Sequence, residues 1–169
     1  MSELRTNRIV PRDGLPASAS GGGIIQVVHA STQTGQSQSF STNSFADTGL
    51  SASITPTRSD SKILVTGYLS YYVTLSAVGS AEWNFAVCDG SNNILDSTSA
   101  DAQGYRFNQY YVLGGKHPIN FLHSPSTTSS FTYKMRMNAK SANQSGSLVC
   151  QRNGTANNIS RITLMEVSA

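Results

Sequence analysis

The chain has 169 residues, with 12 Lys and Arg against 9 Asp and Glu and a formal net charge of +3, a length that suits one domain burying roughly 70% of its unfolded surface. Ser, Thr, Asn and Gln make up 62 residues while charged residues are only 12%, so the surface is polar and nearly uncharged, and the scattered basic residues lack the clustering that nucleic acid demands. Leu, Ile, Val and Phe together number 36, which is low, but disorder also requires a high net charge; no apolar run approaches the ~18 residues of a membrane helix, and the start MSELRTNRIVPRDGLP lacks the apolar stretch of a secretory signal.

Residues 1–23 read as one unit. Arg5, Arg8 and Arg12, Pro11 and Pro16, and the run ASASGGG at 17–23 predict an extended arm followed by a linker, because proline blocks regular pairing and Gly/Ser chains behave as coil. Glu3 and Asp13 leave the arm with a net charge of +1. Charge alone is then too weak to hold it in place, and Leu4, Ile9 and Val10 must supply apolar burial wherever it docks. Its composition suits a frayed terminus and also an attachment peptide that orders against another subunit.

Residues 24–169 have a period of two. The first strand is predicted over Ile24 to His29, and Leu50, Ala52 and Ile54 alternate next. Lys62 to Thr74 (KILVTGYLSYYVT) places Ile63, Val65, Leu69, Tyr71 and Val73 on one face and Tyr68 and Tyr72 on the other. Trp83, Phe85 and Val87 repeat the pattern, and shorter strands are predicted over Tyr110 to Leu113 and Ile119 to His123. Phe131 to Ala139 (FTYKMRMNA) alternates most cleanly, since helical spacing would spread its charges all round an axis. Ser147 to Gln151 and Arg161 to Val167 complete the series. Turn signals fall between these runs at Thr34-Gly35, Pro56, Ser59-Asp60, Asp89-Gly90-Ser91, Gly114-Gly115, Ser124-Pro125 and Asn153-Gly154. Eight or nine short strands with regular turns and no helical pattern predict an all-β fold, an antiparallel sandwich of jelly-roll type.

Catalytic chemistry finds little support. His29, His117 and His123 carry no H-E-x-x-H or G-x-S-x-G context. Asp47, Asp60, Glu82, Asp89, Asp96 and Asp101 fall mostly at turns, where an Asp side chain serves nearby backbone. His117 and His123 share a strand face, yet lie ~20 Å apart when extended, too far for one metal ion. The loop from Asp89 to Asn93 lacks the spacing of a calcium site. Cys88 and Cys150 fit no metal spacing and read as small hydrophobes in preference to a disulfide. No catalytic, cofactor or metal residue is expected. The tyrosines are more informative: Tyr68, Tyr72 and Tyr110, with Trp83, suit either a subunit interface or a surface on which sugars stack. Three Asn-x-Ser/Thr sequons arise by chance in so Asn-rich a chain.

Several blocks of the sequence resemble a family. Ser2 to Pro16 (SELRTNRIVPRDGLP), Gly21 to Val28 (GGGIIQVV), Phe45 to Pro56 (FADTGLSASITP), Ser61 to Val65 (SKILV), His123 to Ser129 (HSPSTTS) with Thr132 to Lys134, and Ile162 to Val167 (ITLMEV) resemble, in order, the small tail-fibre-like virion proteins of tailed bacteriophages. Residues 73–120 match least. The resemblance implies a non-enzymatic virion component, a fibre, spike or capsid decoration, exterior to the particle. An arm using Leu4, Arg5, Arg8, Ile9, Val10 and Arg12 would dock on capsid or tail protein. The domain would be a sandwich similar to tumour-necrosis-factor and C1q-like jelly rolls, assembled as a homotrimer with tyrosine-rich faces at its axis. Recognition of a host-surface glycan is the alternative; nucleic acid, membrane insertion and cofactors are not expected.

Overall fold

A computed structural model describes residues 23–41, 43–97, 105–107, 112–151 and 158–167. Eleven strands occur among them: β1 (Ile24–Thr32), β2 (Gln36–Ser39), β3 (Ala46–Ile54), β4 (Lys62–Leu75), β5 (Gly79–Asp89), β6 (Ile94–Ser97), β7 (Tyr105–Phe107), β8 (Val112–His123), β9 (Phe131–Ala142), β10 (Gly146–Cys150) and β11 (Ser160–Val167). All pairings are antiparallel. The first sheet runs β1, β11, β4, β10, β2 with β8 on the far edge of β4, and the second runs β3, β9, β5, β6 with β7 also on β5.

The strand order reduces to a jelly roll. Strand β4 is long enough for β11 to pair with residues 62–68 and β10 with residues 71–75, on the edge opposite β8. Taking β10 with β11, and β1 with β2, as interrupted single strands, the sheets read β1/β2, β10/β11, β4, β8 and β3, β9, β5, β6/β7. The chain crosses between sheets after β2, β3, β4, β7, β8 and β9, the wrapping of a double Greek key. The all-β sandwich expected from the alternation is the fold observed.

Alternation also dictates the core. Ile63, Val65, Leu69 and Val73 from β4, Ile162 and Leu164 from β11 and Leu148 from β10 face Leu50, Ala52 and Ile54 from β3, Trp83, Phe85 and Val87 from β5, and Tyr133, Met135 and Met137 from β9, all buried. Cys150 lies in this core with its Sγ 3.4 Å from Met137 Sδ. Cys88 is buried on β5 with Arg136 acting on it, and both thiols are free. Burial pushes both above the usual thiol range. They behave as small hydrophobes at separate places.

Where the ladders are interrupted, side chains take over. At the seam on β4, the Ser70 N–H donates to Ser160 Oγ at 2.8 Å, the Gln151 N–H donates to the Ser70 carbonyl at 3.1 Å, and Gln151 Nε2 donates to Ser160 Oγ at 2.8 Å. Ser160 and Gln151 are fully buried, so this hydroxyl satisfies backbone that neither β10 nor β11 reaches. In β3 the register shifts between Asp47 and Ser51. Gly49 takes a φ of 77° there, and buried Thr48 donates its hydroxyl to the Met135 carbonyl at 2.8 Å.

Three differences from the sequence expectation have local causes. Gly114-Gly115 is not a turn but part of β8. A Cβ on Gly115 would sit 3.1 Å from Tyr71 Oη, so the missing side chain makes room for an inward tyrosine. The predicted strands at 110–113 and 119–123 are consequently one strand, as far as it is described. Strand β2 (QSQS) escapes hydrophobic patterning because its inward residue is Gln38, which donates to the Ser44 carbonyl at 2.6 Å and accepts from the Ala139 N–H at 2.7 Å.

Candidate functional site

The outer face of the first sheet gathers the features that sequence reading picked out on β4. Even-numbered residues of β4 point away from the second sheet, and the registers extend them into rows across four strands. One row is apolar: Val27, Met165, Leu64 and Leu122 are successive cross-strand partners, with Val27 57% and Leu122 55% exposed. Exposed Ile24 and Ile25 lie at the same end, at an irregularity in β1. The next row is polar, His29, Thr163, Thr66 and Asn120, with His29 Nδ1 3.1 Å from Thr163 Oγ1. The third is Ser31, Arg161, Tyr68 and Pro118. Tyr68 is half-buried, and Lys116 Nζ stands 4.5 Å from its ring centroid, a cation–π contact. Tyr72, also half-buried, lies between Val149 and Gly114.

Charge is segregated. Lys62, Lys116 and Arg161 occupy outward positions on this face, and none of them takes part in the ion pairs formed among the described residues. The described carboxylates lie elsewhere. Asp47 pairs with Arg136 at 2.9 Å and Glu82 with Lys140 at 3.4 Å, and Asp60 pairs with Arg58 at 2.8 Å. Asp89 accepts from the Ser91 and Asn93 N–H groups, both at 2.8 Å, closing the turn between β5 and β6. The Asn93 side chain and those backbone donors hold its carboxyl below the usual range.

The described carboxylate without surface exposure is Glu166, on β11 and facing inward. It accepts from Gln26 Nε2 at 2.6 Å, from the Thr57 N–H at 2.8 Å and from Thr57 Oγ1 at 2.7 Å. Burial raises its pKa, but the donors Gln26 and Thr57 outweigh burial and hold it at about 2. Gln26 Nε2 also donates to the Thr55 carbonyl at 2.7 Å. Glu166 therefore ties the beginning of β1, the loop after β3 and the last strand into one cluster. Sequence reading passed over it. The available signal was parity, since Glu166 continues the inward series Ile162 and Leu164.

His117 and His123 serve packing. His117 stacks against Phe85 with centroids 4.8 Å apart, and His123 Nδ1 lies 2.9 Å from Tyr133 Oη beside Phe131. They share the inner side of β8 as expected, but each belongs to its own ring cluster, and burial lowers both pKa values. Among the described residues no cluster of three His, Cys, Asp or Glu has a metal-binding arrangement. A cavity of about 20 Å³ beside His117 and Asp96 and one of about 70 Å³ beside Asp47 and Lys134 fall far short of the ~300 Å³ of a typical small-molecule site.

Of the residues expected to form an interface or glycan surface, the structure brings Tyr68 and Tyr72 onto one face and removes Trp83 from it. Trp83 is 1% exposed in the core, 6.0 Å from the Tyr71 ring. Its odd position on β5 points it between the sheets, where burying its large apolar surface outweighs any use as a platform. Tyr110 and the arm residues Leu4, Arg5, Arg8, Ile9, Val10 and Arg12 lie outside the described residues.

No protein-family model matches the chain, and no curated protein sequence matches it. Among solved structures it is similar to the Gx strain of infectious bursal disease virus, at 12% identity and a TM-score of 0.43 over 94% of this chain and 44% of that one. It is also similar to the VP2 subviral particle of the same virus, at 13% identity and 0.41, over 94% and 43%. T=1 particles derived from that virus match at 10% identity and 0.41, over 97% and 42%. The chain spans less than half the length of each.

Proposed function

We propose that this chain is a non-enzymatic structural component of a tailed-phage virion, a fibre, spike or decoration protein on the exterior of the particle. Residues 1–23 attach it to capsid or tail protein through Leu4, Arg5, Arg8, Ile9, Val10 and Arg12, and the jelly roll projects as a homotrimer. The sequence blocks that resemble such proteins run from residue 2 to residue 167 and support the reading. The observation that carries it is the root of the arm. Strand β1 opens at exposed Ile24, directly after exposed Gly23, yet two residues on Gln26 is pinned to Glu166 and to the Thr55 carbonyl. A pull on the arm is delivered straight into the C-terminal strand and the loop after β3, as an anchored appendage requires. Several weak arms held on one assembly gain avidity through effective concentration. Deleting residues 1–20 is expected to leave a soluble, folded assembly that no longer joins particles, measured by its content in purified virions. Normal incorporation of the truncated chain would overturn the proposal.

A further inference from the structure

The self-association proposed above has no surface assigned to it, and the following inference rests on that reading and supplies one. We propose that the outer face of the first sheet, along Val27, Met165, Leu64 and Leu122, seats a second copy of this chain, head to tail, in a closed ring of at least three copies.

Exposure comes first. The four side chains form a continuous apolar row roughly 14 Å long at the ~4.8 Å spacing of strands, and its two ends are more than half exposed. A row this open on a polar protein marks an association surface.

Charge then selects the geometry. Lys62, Lys116 and Arg161 share this face, and no described carboxylate does. A twofold contact would set these cations against their own copies, because an isologous interface presents the same patch twice. The face must therefore meet a different surface. The end of β5 with β6 is complementary: it carries Asp89 and Asp96, neither in an ion pair among the described residues, and Ile94, 52% exposed. Asp96 lines the same small cavity as His117 and Pro118 of β8, so the two complementary surfaces adjoin across one edge of the sandwich. Adjacent patches turn a corner from copy to copy, and a head-to-tail contact that turns without advancing along its axis closes into a ring. Because β1 supplies Val27 and begins at Ile24, the ring also gathers the roots of the arms.

The test is the mass of the full chain by light scattering after size exclusion. The wild type is expected at three or more times the 18.0 kDa of one chain. Val27→Lys with Leu122→Lys, both at exposed positions, is expected to reduce it to one chain while circular dichroism keeps the strand signal. Val78→Lys, equally exposed at 54% but outside the row, retains the assembly. Asp96→Lys dissociates it at concentrations where the wild type stays assembled. A wild-type monomer or strict dimer, or an assembly untouched by the paired lysines or by Asp96→Lys, overturns the inference. Incorporation into particles separates the two readings: a wild-type monomer that enters virions through its arm refutes this face alone, whereas a ring that never enters virions refutes the virion role alone.

Discussion

Glu166 offers the sharpest test of the physical account. Its carboxylate accepts three hydrogen bonds from Gln26 and Thr57 in a spot without solvent access. A carboxyl held at about 2 when folded, against an ordinary 4.5, corresponds to at most about 3 kcal/mol of stability at neutral pH. The cluster lies close beneath the surface, so roughly 2–3 kcal/mol is the sensible expectation. The folded value is depressed, so this stability is complete above the unfolded value near 4.5 and is lost as pH falls through 4.5 towards 2. Glu166→Gln keeps the shape but turns an amide N–H towards donors, leaving one of them unpaired. Denaturant unfolding of both proteins at pH 7, 5, 4, 3 and 2 should show the variant less stable by roughly 2–3 kcal/mol at pH 7 and 5. Below pH 4.5 the gap should narrow, and it should fall under ~1 kcal/mol at pH 2, where protonated Glu166 meets the same donors with an O–H. A gap that stays constant from pH 7 to 2, or one under ~0.5 kcal/mol at pH 7, refutes the reasoning.

Two further predictions concern the long strand β4. Gly67 has a φ of 151°, and a Cβ there would lie 2.1 Å from the Arg161 carbonyl oxygen on β11; because that obstacle is backbone, Gly67→Ala should cost about 3 kcal/mol or more, and a variant within ~1 kcal/mol of wild type in urea unfolding would contradict the close approach. Ser160→Ala leaves the Ser70 N–H without its 2.8 Å partner at the seam and should cost ~1–3 kcal/mol, with faster hydrogen exchange at Ser70; unchanged exchange there would show that another group satisfies it.

The division between sequence and tertiary structure follows from what each residue's behaviour depends on. Period-two alternation dictates which side of a strand is buried without reference to a partner. Phe131 to Ala139 and Lys62 to Thr74 were therefore legible as strands, with their core-facing members, from the chain alone, and Arg161 to Val167 was legible as a strand. The Asp89-Gly90 turn was legible for the same reason, since an Asp side chain serves its own neighbourhood. Partners distant in sequence were not. Gly115 looks like a turn until Tyr71 occupies the space above it, and Gln38 looks like a loop residue until the Ala139 N–H arrives. Glu166 looks like a surface acid until Gln26 and Thr57 converge on it from 140 and 109 residues away. The candidate surface divides in the same way. Alternation placed Tyr68 and Tyr72 on one side of β4, but a strand has two sides and both can be apolar, so Trp83 could not be assigned to core or surface. Only the pairing of β1, β11, β4 and β8 decided that Val27, Met165, Leu64 and Leu122 form one row, because register between strands is set by contacts the linear sequence does not contain.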